Sequence, residues 1–191
     1  MAARNPKQGR IELIVGPMFS GKSSELQRRL TRFYLAQKTC FLIQYAGDTR
    51  YASSASGASL TTHDHRMLPA HCAVSLLKDA ALLVPAGTHV IALDEAQFFP
   101  DAVEVCQAWA NEGIVVLIAA LDATFEREPF TVTARLVAVA ERVDKLVAVC
   151  ATCGDDCALW SHRKTQSTAL EVIGGADAYQ PLCRSCWKRL V

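Results

Sequence analysis

The possible folds of this chain are restricted most by an octapeptide, G-P-M-F-S-G-K-S at residues 16–23. It fits the pattern G-x-x-x-x-G-K-[ST], follows the apolar run 11–15 and opens a segment with helical periodicity. In such a loop the glycines let successive backbone N–H groups turn toward phosphate oxygens, and the first turn of the helix adds partial positive charge. The sequence therefore predicts a phosphate-binding P-loop between a strand and a helix.

A P-loop also needs a metal-binding carboxylate near the phosphates, and the pair Asp94 and Glu95 supplies one. The pair follows the apolar run 90–93, which predicts a buried strand. Lys22 is predicted to reach the β- and γ-phosphates of a nucleoside triphosphate, and the Ser23 hydroxyl is predicted to bind Mg²⁺ together with Asp94. Glu95 lies one residue beyond the strand, where it can face the group that attacks the γ-phosphate.

The predicted reaction is phosphoryl transfer, and its chemistry limits what Glu95 must do. A carboxylate is a weak base toward an alcohol, but a loose transition state requires little deprotonation until late. Glu95 is therefore predicted to orient a hydroxyl group and accept its proton, which contributes about 10²- to 10⁴-fold in rate. Arg50 is a candidate for a further cation at the phosphates. A surface ion pair between Arg50 and Asp48 is equally consistent with their spacing.

Short apolar runs alternate along the chain with segments of helical periodicity, which is typical of a parallel sheet with helical crossovers. Leu26, Leu30 and Phe33 form the core-facing stripe of the first helix. Strands are predicted at residues 11–15, 40–44, 90–93, 114–120 and 145–149, and helices at 22–37 and 100–112.

Three arginines of the first helix are predicted to lie mainly off its core-facing stripe; they are Arg28, Arg29 and Arg32. Gly113 is predicted to end the second helix in the left-handed conformation. No strand or helix is predicted from residue 46 to residue 69, and a loop of that length is usually functional or disordered. We therefore expect the middle of this loop, residues 51–62, to be mobile.

At 191 residues the chain is long enough for one full α/β domain and a small appendage. We predict a nucleotide-binding domain over residues 1–149 and a smaller domain over 150–191. The net charge is +1, from 20 Lys and Arg against 19 Asp and Glu, which argues against nucleic acid as a partner. The sequence shows no signal peptide and no apolar stretch near the roughly 18 residues of a membrane span, so we expect a cytoplasmic protein.

Five of the eight cysteines lie in the last 42 residues. Cys150 with Cys153, and Cys183 with Cys186, form two C-x-x-C pairs, which together predict a tetrahedral Cys₄ zinc site. A redox-active dithiol is the alternative. The fifth thiol, Cys157, could replace Cys153 as a ligand, but the symmetrical pairing is favoured and leaves Cys157 free. The remaining three, predicted to be small buried hydrophobes, are Cys40, Cys72 and Cys106.

The segment between the two cysteine pairs, residues 154–182, is predicted to be held at both ends by the zinc site. A loop held in this way is well suited to cover a ligand. A zinc ribbon that only stabilises the C-terminus and binds nothing is the alternative.

Six features occur in order along the chain: G-P-M-F-S-G-K-S-S-E-L at 16–26, D-T-R-Y at 48–51, D-E-A-Q-F-F at 94–99, A-L-D-A-T-F at 120–125, the paired cysteines, and E-V-I-G-G-A-D-A-Y at 171–179. Together they resemble the cytosolic, zinc-containing (type II) thymidine kinases, over residues 10–187. The resemblance implies an α/β fold of the P-loop NTPase (RecA-like) type, with a parallel sheet flanked by helices. It also implies a small C-terminal Cys₄ zinc domain that carries a lasso loop.

The resemblance implies transfer of the γ-phosphate of ATP to the 5′-hydroxyl of thymidine or deoxyuridine, with Glu95 as proton acceptor and Lys22 and Arg50 assisting. It also implies structural zinc, a homotetramer (a dimer of dimers) and feedback inhibition by dTTP. The P-loop, the acidic pair and the resemblance together assign ATP and Mg²⁺ binding to Gly16, Pro17, Met18, Phe19, Ser20, Gly21, Lys22, Ser23, Asp48, Thr49, Arg50, Asp94, Glu95, Ala96 and Gln97.

The resemblance further implies where the nucleoside lies. The lasso closes over it and binds the base largely through backbone groups, while Phe125 stacks on the base and Tyr179 contacts the base or sugar. Met18, Leu121 and Ser161 line the pocket for the base methyl group. The residues assigned to the nucleoside are Met18, Phe98, Leu121, Phe125, Ser161, Arg163, Leu170, Glu171, Val172, Ile173, Gly174 and Tyr179.

Two residues depart from the family pattern. Ala96 stands where glycine is familiar, which is a small change if the backbone φ is negative there. Ser161 stands where threonine is common, which would loosen the methyl pocket slightly. Both departures bear on affinity and selectivity rather than on the chemistry.

Two other functions are alternatives to a kinase. The run D-E-A-Q at 94–97 also resembles the acidic box of RNA helicases, but 191 residues cannot hold the two RecA-like domains of such a motor. A zinc-ribbon P-loop ATPase that acts as a binding or assembly module stays open as the alternative. ATP turnover by a kinase depends on a nucleoside, whereas turnover by such an ATPase does not, and this difference distinguishes the two functions.

Overall fold

The computed structural model describes residues 9–48, 59–61, 67–165 and 174–190. The strands are β1 (Arg10–Gly16), β2 (Cys40–Tyr45), β3 (Ser59–Thr61), β4 (Met67–Pro69), β5 (Cys72–Val74), β6 (Val90–Leu93), β7 (Val115–Leu121), β8 (Arg142–Lys145), β9 (Trp160–Arg163) and β10 (Tyr179–Leu182). The helices are α1 (Lys22–Leu35), α2 (Leu77–Ala81), α3 (Ala102–Asn111), α4 (Thr131–Val139) and α5 (Arg184–Trp187), and a 3₁₀ turn covers Ala96–Phe98.

Six of these strands form one parallel sheet in the order β5-β2-β6-β7-β1-β8. β3 pairs with β4, and β9 with β10, in two antiparallel pairs. The predicted α/β fold, a parallel sheet flanked by helices, is confirmed.

The hydrophobic core lies on both faces of the sheet, because successive side chains of a strand point to opposite faces. Ile11, Leu13 and Val15 of β1 face α2, α3 and α4. Ile14 faces the other side, where α1 packs through Leu26 and through the leucine one turn later. The central strands β1, β2, β6 and β7 are therefore largely buried on both faces, as expected from their continuous apolar runs, whereas the edge strands β5 and β8 are partly exposed.

Four of the five predicted strands are confirmed to within one residue at their ends. The fifth, at 145–149, is wrong, because β8 ends at Lys145, where that prediction begins. Leu146 makes one more backbone bond to β1, donating to the carbonyl of Val15 at 2.8 Å. The chain then leaves the sheet, and Ala148 pairs with Ala158. The apolar run after β8 is therefore divided: Leu146 packs on the sheet, and Ala148 packs in the C-terminal cluster.

The prediction that residues 46–69 contain no strand or helix is also wrong. β3 and β4 lie within this stretch and pair with each other. Strands of three residues carry too little periodicity to be recognised from a sequence. Residues 49–58 and 62–66 lie outside the described residues, and so does the expected mobility of the loop.

Both predicted helices are confirmed, although α1 ends at Leu35 and α3 covers a slightly shorter range than expected. Gly113 follows α3 with a φ of 85°, the predicted left-handed conformation. Its N–H donates to the carbonyl of Ala110, and the next N–H donates to that of Trp109, which closes the end of the helix. Within the described part of the chain, no helix combines the length and the apolar character that crossing a membrane requires.

The prediction that Arg29 lies off the core-facing stripe is also wrong, because this residue is buried and only 5% exposed. Its guanidinium contacts three carboxylates, those of Glu12 at 3.2 Å, Glu25 at 2.8 Å and Asp144 at 2.7 Å. Glu12 lies on the face of β1 that α1 covers, so its buried charge requires a cation from that helix. The hydrogen bond from Arg28 is the main cause that lowers the pKa of Glu25 to about 2, with burial opposing and Arg29 assisting.

The three scattered cysteines are mostly as predicted. Cys40 and Cys106 are buried, whereas Cys72 is only half-buried. Burial raises the pKa of the Cys40 thiol to about 11. A thiol protonated in this way is unreactive, which fits a small hydrophobe.

Replacing Arg29 with methionine should lower the free energy of unfolding by about 3 kcal/mol, because among the described residues Glu12 would keep only the half-exposed Arg10 as an ion-pair partner. Urea denaturation followed by circular dichroism measures this loss. The matched control is Arg28→Met, which removes an exposed partner of Glu25 and should cost less than about 1 kcal/mol. Equal losses in the two variants would contradict the structural importance of the buried network.

Candidate active site

The P-loop follows β1, and its backbone wraps so that α1 begins at Lys22. Gly16 has a φ of 151°, and a Cβ atom there would lie 2.5 Å from the carbonyl oxygen of Leu146, so a side chain does not fit. Gly21 caps α1 with a φ of 81° and has no side chain that could bond to the first-turn N–H groups. Those N–H groups and the positive end of the helix dipole suit an anion.

Two side chains of the P-loop turn toward one of its own carbonyl groups. Lys22 Nζ and Ser20 Oγ each donate to the carbonyl oxygen of Pro17 at 2.8 Å. Lys22 is only 8% exposed, so the predicted phosphate-binding ammonium group lies inside the loop. Phe19, with a φ of 65°, directs its ring outward from the loop to pack against the C-terminal cluster.

Ser23 and Asp94 meet at the edge of the sheet, although 71 positions separate them in the sequence. Ser23 Oγ donates to Asp94 Oδ2 at 2.8 Å. Asp94 directly follows β6, which is separated from β1 by β7. Hydroxyl and carboxylate oxygens are ligands that Mg²⁺ accepts. The structure therefore brings together the two groups that the sequence assigned to this ion.

Glu95 follows in a strained backbone conformation, with φ 55° and ψ 42°. Such a conformation costs about 1–3 kcal/mol outside glycine and persists where surrounding contacts impose it. Gln97 Nε2 donates to Glu95 Oε2 at 2.6 Å, and Gln97 Oε1 accepts from the N–H of Leu121 at 2.9 Å. The Glu95 carboxylate is thus tied to the end of β7. Ala96 lies within the 3₁₀ turn, so the positive φ falls one residue before it and alanine fits without strain.

An aromatic group lies at the end of the same 3₁₀ turn. The ring of Phe98 packs against Tyr45, with centroids 5.0 Å apart, and meets Phe130 edge-on at 6.4 Å. The sequence assigned Phe98 to the nucleoside but did not single out Tyr45 or Phe130. Tyr45 ends β2 at the carboxyl edge of the sheet, where ligands of such folds bind, and that position is the signal that identifies it.

Strand β9 joins a second set of predicted residues. Ser161 Oγ accepts from the N–H of Met18 in the P-loop at 2.9 Å, across 143 positions. Arg163 Nη2 donates to Tyr179 Oη at 2.9 Å, and its guanidinium carbon lies 3.7 Å from the ring centroid of Phe125. Ser161 and Arg163 are both buried. Five residues assigned to the nucleoside are thus linked through one strand.

Several predicted residues lie outside the part of the chain that the structure describes: Thr49, Arg50, Leu170, Glu171, Val172 and Ile173. Asp48, the last described residue before the first gap, is half-buried. Next to the gap at 166–173, the N–H of Lys164 donates to the carbonyl of Ala178 at 2.8 Å. Gly174 packs so closely that a Cβ atom there would lie 2.6 Å from the Cβ of Ala178.

The four paired cysteines, Cys150, Cys153, Cys183 and Cys186, converge on one point, and their sulfur atoms all lie within 4.8 Å of one another. The sulfurs of Cys153 and Cys183 are 3.8 Å apart. A tetrahedron with corners about 2.3 Å from its centre, the Zn–S distance, has edges of about 3.8 Å. The group could therefore hold a metal such as zinc. Cys157 does not belong to it, as predicted.

Backbone groups prepare two of these sulfurs, those of Cys150 and Cys183, for a cation. Cys150 Sγ accepts from the N–H of Cys183 at 3.4 Å, and Cys183 Sγ accepts from the N–H of Cys186 at 3.4 Å. Burial raises the pKa of the Cys150 thiol, but backbone N–H groups, foremost that of Cys153, outweigh it and lower the pKa to about 6. Such groups favour the thiolate form that a metal requires.

Comparison with known proteins places this geometry in a family. A family model described as thymidine kinase matches residues 9–187. The chain is 49% identical over 180 residues to cytosolic thymidine kinase of Homo sapiens, covering 94% of this chain and 74% of the relative. It is 47% identical over 181 residues to thymidine kinase of raccoon poxvirus, covering 94% of this chain and 97% of the relative. The chain belongs to the thymidine kinase family.

The match to the thymidine kinase family spans the whole candidate site. It starts before β1 and ends at Trp187, one residue after the last paired cysteine. Thymidine kinase of vaccinia virus (strain Western Reserve) is similarly covered, at 46% identity over 179 residues, with 94% of this chain and 97% of the relative. The family predicted from six short features is therefore confirmed over nearly the full chain.

The purified chain should contain about one zinc ion. Cys183→Ser should lose the ion and lower the thermal midpoint, because a serine hydroxyl does not replace a thiolate ligand. Cys157→Ser is the matched control and should keep the ion. Mass spectrometry of the metal content and calorimetry provide the two measurements. Loss of zinc from Cys157→Ser, with retention by Cys153→Ser, would exchange the roles of these two cysteines.

Proposed function

We propose that this chain is an ATP:thymidine 5′-phosphotransferase, a thymidine kinase that serves deoxynucleotide salvage. It would transfer the γ-phosphate of ATP to the 5′-hydroxyl of thymidine, giving ADP and dTMP, and would act likewise on deoxyuridine. The observation that carries this proposal is the family match over residues 9–187, because that range includes the P-loop, the acidic pair and β9 together. The human relative is named a cytosolic thymidine kinase, and the poxvirus relatives are named thymidine kinases.

ATP would bind through the P-loop. The first-turn N–H groups of α1 would surround its phosphates, and Lys22 would exchange the carbonyl of Pro17 for phosphate oxygens. Ser23 and Asp94, which already lie 2.8 Å apart, would hold Mg²⁺. When bound, that ion neutralises the charge of the phosphoryl group. Arg50 is proposed as the further cation of this arrangement.

Glu95 would orient the 5′-hydroxyl and accept its proton late in the transfer. Because the transition state is loose, position matters more than base strength. The bond from Gln97 at 2.6 Å fixes the orientation of the Glu95 carboxylate, and Gln97 in turn is anchored on Leu121. The strained backbone of Glu95 supports this role, since strain of this kind concentrates at functional sites.

The nucleoside would lie between β9 and the carboxyl edge of the sheet. Phe125 would stack on the base, and an aromatic face provides affinity without distinguishing one pyrimidine from another. Discrimination would come from backbone donors and acceptors of the lasso, residues 170–174, because unmatched polar groups on a base edge are costly to bury. Met18, Leu121 and Ser161 would surround the base methyl group, and the bond from Met18 to Ser161 supports the proximity of these two residues.

The four paired cysteines would hold a structural zinc ion, which contributes folding energy rather than chemistry. Convergence of all four sulfurs on one point favours this over two separate dithiols. We propose that residues 150–191 form a zinc domain that carries the lasso, and that residues 1–149 form the nucleotide-binding domain. An apolar cluster that includes Ala158, Leu182 and Trp187 supports a separate C-terminal core.

Location, assembly and regulation are proposed from the family resemblance. The human relative's name supports a cytoplasmic location. A homotetramer and feedback inhibition by dTTP rest on the resemblance alone. Inhibition by dTTP has a physical basis, since its triphosphate suits the P-loop and its base suits the nucleoside pocket. The net charge of +1 continues to argue against nucleic acid as a partner.

The alternative function, a zinc-ribbon ATPase that acts as an assembly module, receives no support from the comparisons. The matched family and all three relatives described here bear the name thymidine kinase.

A nucleoside panel tests the proposed function. With ATP and Mg²⁺, ADP release should depend on thymidine or deoxyuridine and should stay at background with deoxycytidine or purine deoxynucleosides. Chromatography should show the matching 5′-monophosphate, and dTTP should suppress the reaction. ATP turnover that no nucleoside changes would instead indicate the ATPase.

Replacing Glu95 with glutamine should lower kcat by about 10²- to 10⁴-fold, because the proton acceptor is lost while the side chain keeps its shape. Binding of an ATP analogue, measured by calorimetry, should persist. Glu104→Gln is the matched control, since Glu104 is exposed on α3. Near-normal turnover by Glu95→Gln would remove this residue from its proposed role.

A further inference from the structure

The loop between β7 and α4, residues 122–130, is tied together by its own backbone and is called the Phe125 loop below. The N–H of Thr124 donates to the carbonyl of Glu128 at 2.8 Å, and the N–H of Arg127 donates to that of Thr124 at 3.0 Å. Because the two halves of the loop are bonded to each other, a displacement of Arg127 also displaces Phe125.

Arg127 extends its side chain from this loop to the C-terminal region. Its guanidinium carbon lies 5.6 Å from the ring centroid of Trp160 and 5.2 Å from that of Trp187. The two indole rings meet at 66° with centroids 5.9 Å apart, so they present one aromatic surface. A guanidinium over such a surface is attracted by both rings.

The backbone of Arg127 is unusual for an arginine. Its φ is 68°, in the left-handed region that glycine adopts at lower cost. A glycine at this turn position would relieve strain, yet it would lose the contact with the two indole rings. What arginine contributes at this position is therefore its side chain, because the backbone conformation favours glycine.

A second stacking contact runs in the opposite direction. Arg163 of β9 places its guanidinium carbon 3.7 Å from the ring centroid of Phe125. Trp160 and Arg163 are three residues apart on one strand, so they point to opposite faces of β9. The burial pattern agrees, because Ser161 and Arg163 are buried while Trp160 is only partly so. The Phe125 loop thus contacts both faces of β9.

We propose that Arg127 is a positioning residue for the nucleoside site. By stacking on Trp160 and Trp187 it fixes the Phe125 loop against β9, and it thereby sets the plane of the Phe125 ring. This inference rests on the proposed function, in which that ring stacks on the base. Arg127 itself touches no substrate, because it lies across β9 from Arg163 and Ser161.

The cysteine group supports the aromatic surface that Arg127 contacts. Trp187 directly follows Cys186 and packs in one cluster with Cys150 and Cys183. Loss of order around the four sulfurs would therefore release Trp187 and with it Arg127. The C-terminal region would in this way influence base stacking without contacting the base.

Arg184 provides a matched control within the same group. Its guanidinium carbon lies 4.7 Å from the centroid of the same Trp160 ring, and both arginines are exposed. Replacing either one with glutamine removes one positive charge and one contact with Trp160, and Arg127→Gln also removes the contact with Trp187. Arg184 belongs to α5, so its contact stays within the C-terminal region. Of the two arginines, only Arg127 connects the Phe125 loop to the C-terminal region.

The test compares the full-length variants Arg127→Gln, Arg127→Lys and Arg184→Gln, after zinc content and thermal midpoint have been checked. Arg127→Gln should raise the KM for thymidine by about three- to tenfold, with kcat and the KM for ATP close to wild type. Arg127→Lys should recover part of the loss, because an ammonium group also stacks on indole. Arg184→Gln should retain the wild-type KM for thymidine. Equal effects of the two glutamine variants, or equal shifts for thymidine and ATP, would overturn the proposal.

Arg127→Gly is a second variant. It removes the side chain and is expected to fold, because glycine adopts the left-handed backbone conformation at lower cost. It should raise the KM for thymidine while the thermal midpoint stays the same or increases. An unchanged KM for thymidine in this variant would contradict the proposed role of Arg127 as a positioning residue.

Hydrogen–deuterium exchange separates this inference from the proposed function. Amides of the Phe125 loop, including those of Thr124 and Arg127, should exchange faster in Arg127→Gln than in Arg184→Gln. If the wild-type chain showed no thymidine-dependent turnover, the proposed function would be wrong. The exchange data would still test whether Arg127 holds the Phe125 loop in place. Equal exchange in the two variants would overturn the inference.

Discussion

Ser23 and Asp94 meet because β1 and β6 run parallel on either side of β7 in matching register. In that arrangement the three strands end at one edge, and the loops that leave them start there. The P-loop, the turn that carries Glu95 and the Phe125 loop are these three loops. Their separation is set by the spacing of neighbouring strands, about 4.8 Å. The chemistry of the site therefore depends on a sheet whose central strands are buried on both faces and cannot shift independently.

Features that follow from local pattern were accessible from the sequence. The P-loop motif lies between an apolar run and a helical stripe, and the acidic pair ends another apolar run, so both are placed by the rule that parallel strands share a carboxyl edge. The spacing of the cysteine pairs is likewise local, and it predicted the group that converges in the structure. The left-handed glycine after α3 is a third example.

Features that depend on partners far away in the chain were not accessible. Arg29 is buried because Glu12 and Asp144 lie where α1 crosses the sheet, and helical periodicity alone does not reveal those carboxylates. β8 ends at Lys145 because the chain leaves β1 after Leu146, and Ala148 then pairs with Ala158 of the C-terminal region. At the site, the orientation of Glu95 depends on Gln97 and on a backbone N–H of β7, and no spacing in the sequence predicts that bond. The burial of a charge, the end of a strand and the aim of a carboxylate are all tertiary properties.

The alternation along β9 has a consequence for how this chain can misfold. One face of the strand carries Ser161 and Arg163, and the other carries Trp160. A slip of one residue against β10 would exchange the two faces completely. The six-stranded sheet does not depend on this register, because β9 and β10 form a separate pair. The P-loop would then face the ring of Trp160 or His162 in place of the Ser161 hydroxyl, and the bond from Met18 would be lost. Formation of the site therefore requires β9 to pair with β10 in the correct register, and this requirement is separate from the folding of the six-stranded sheet.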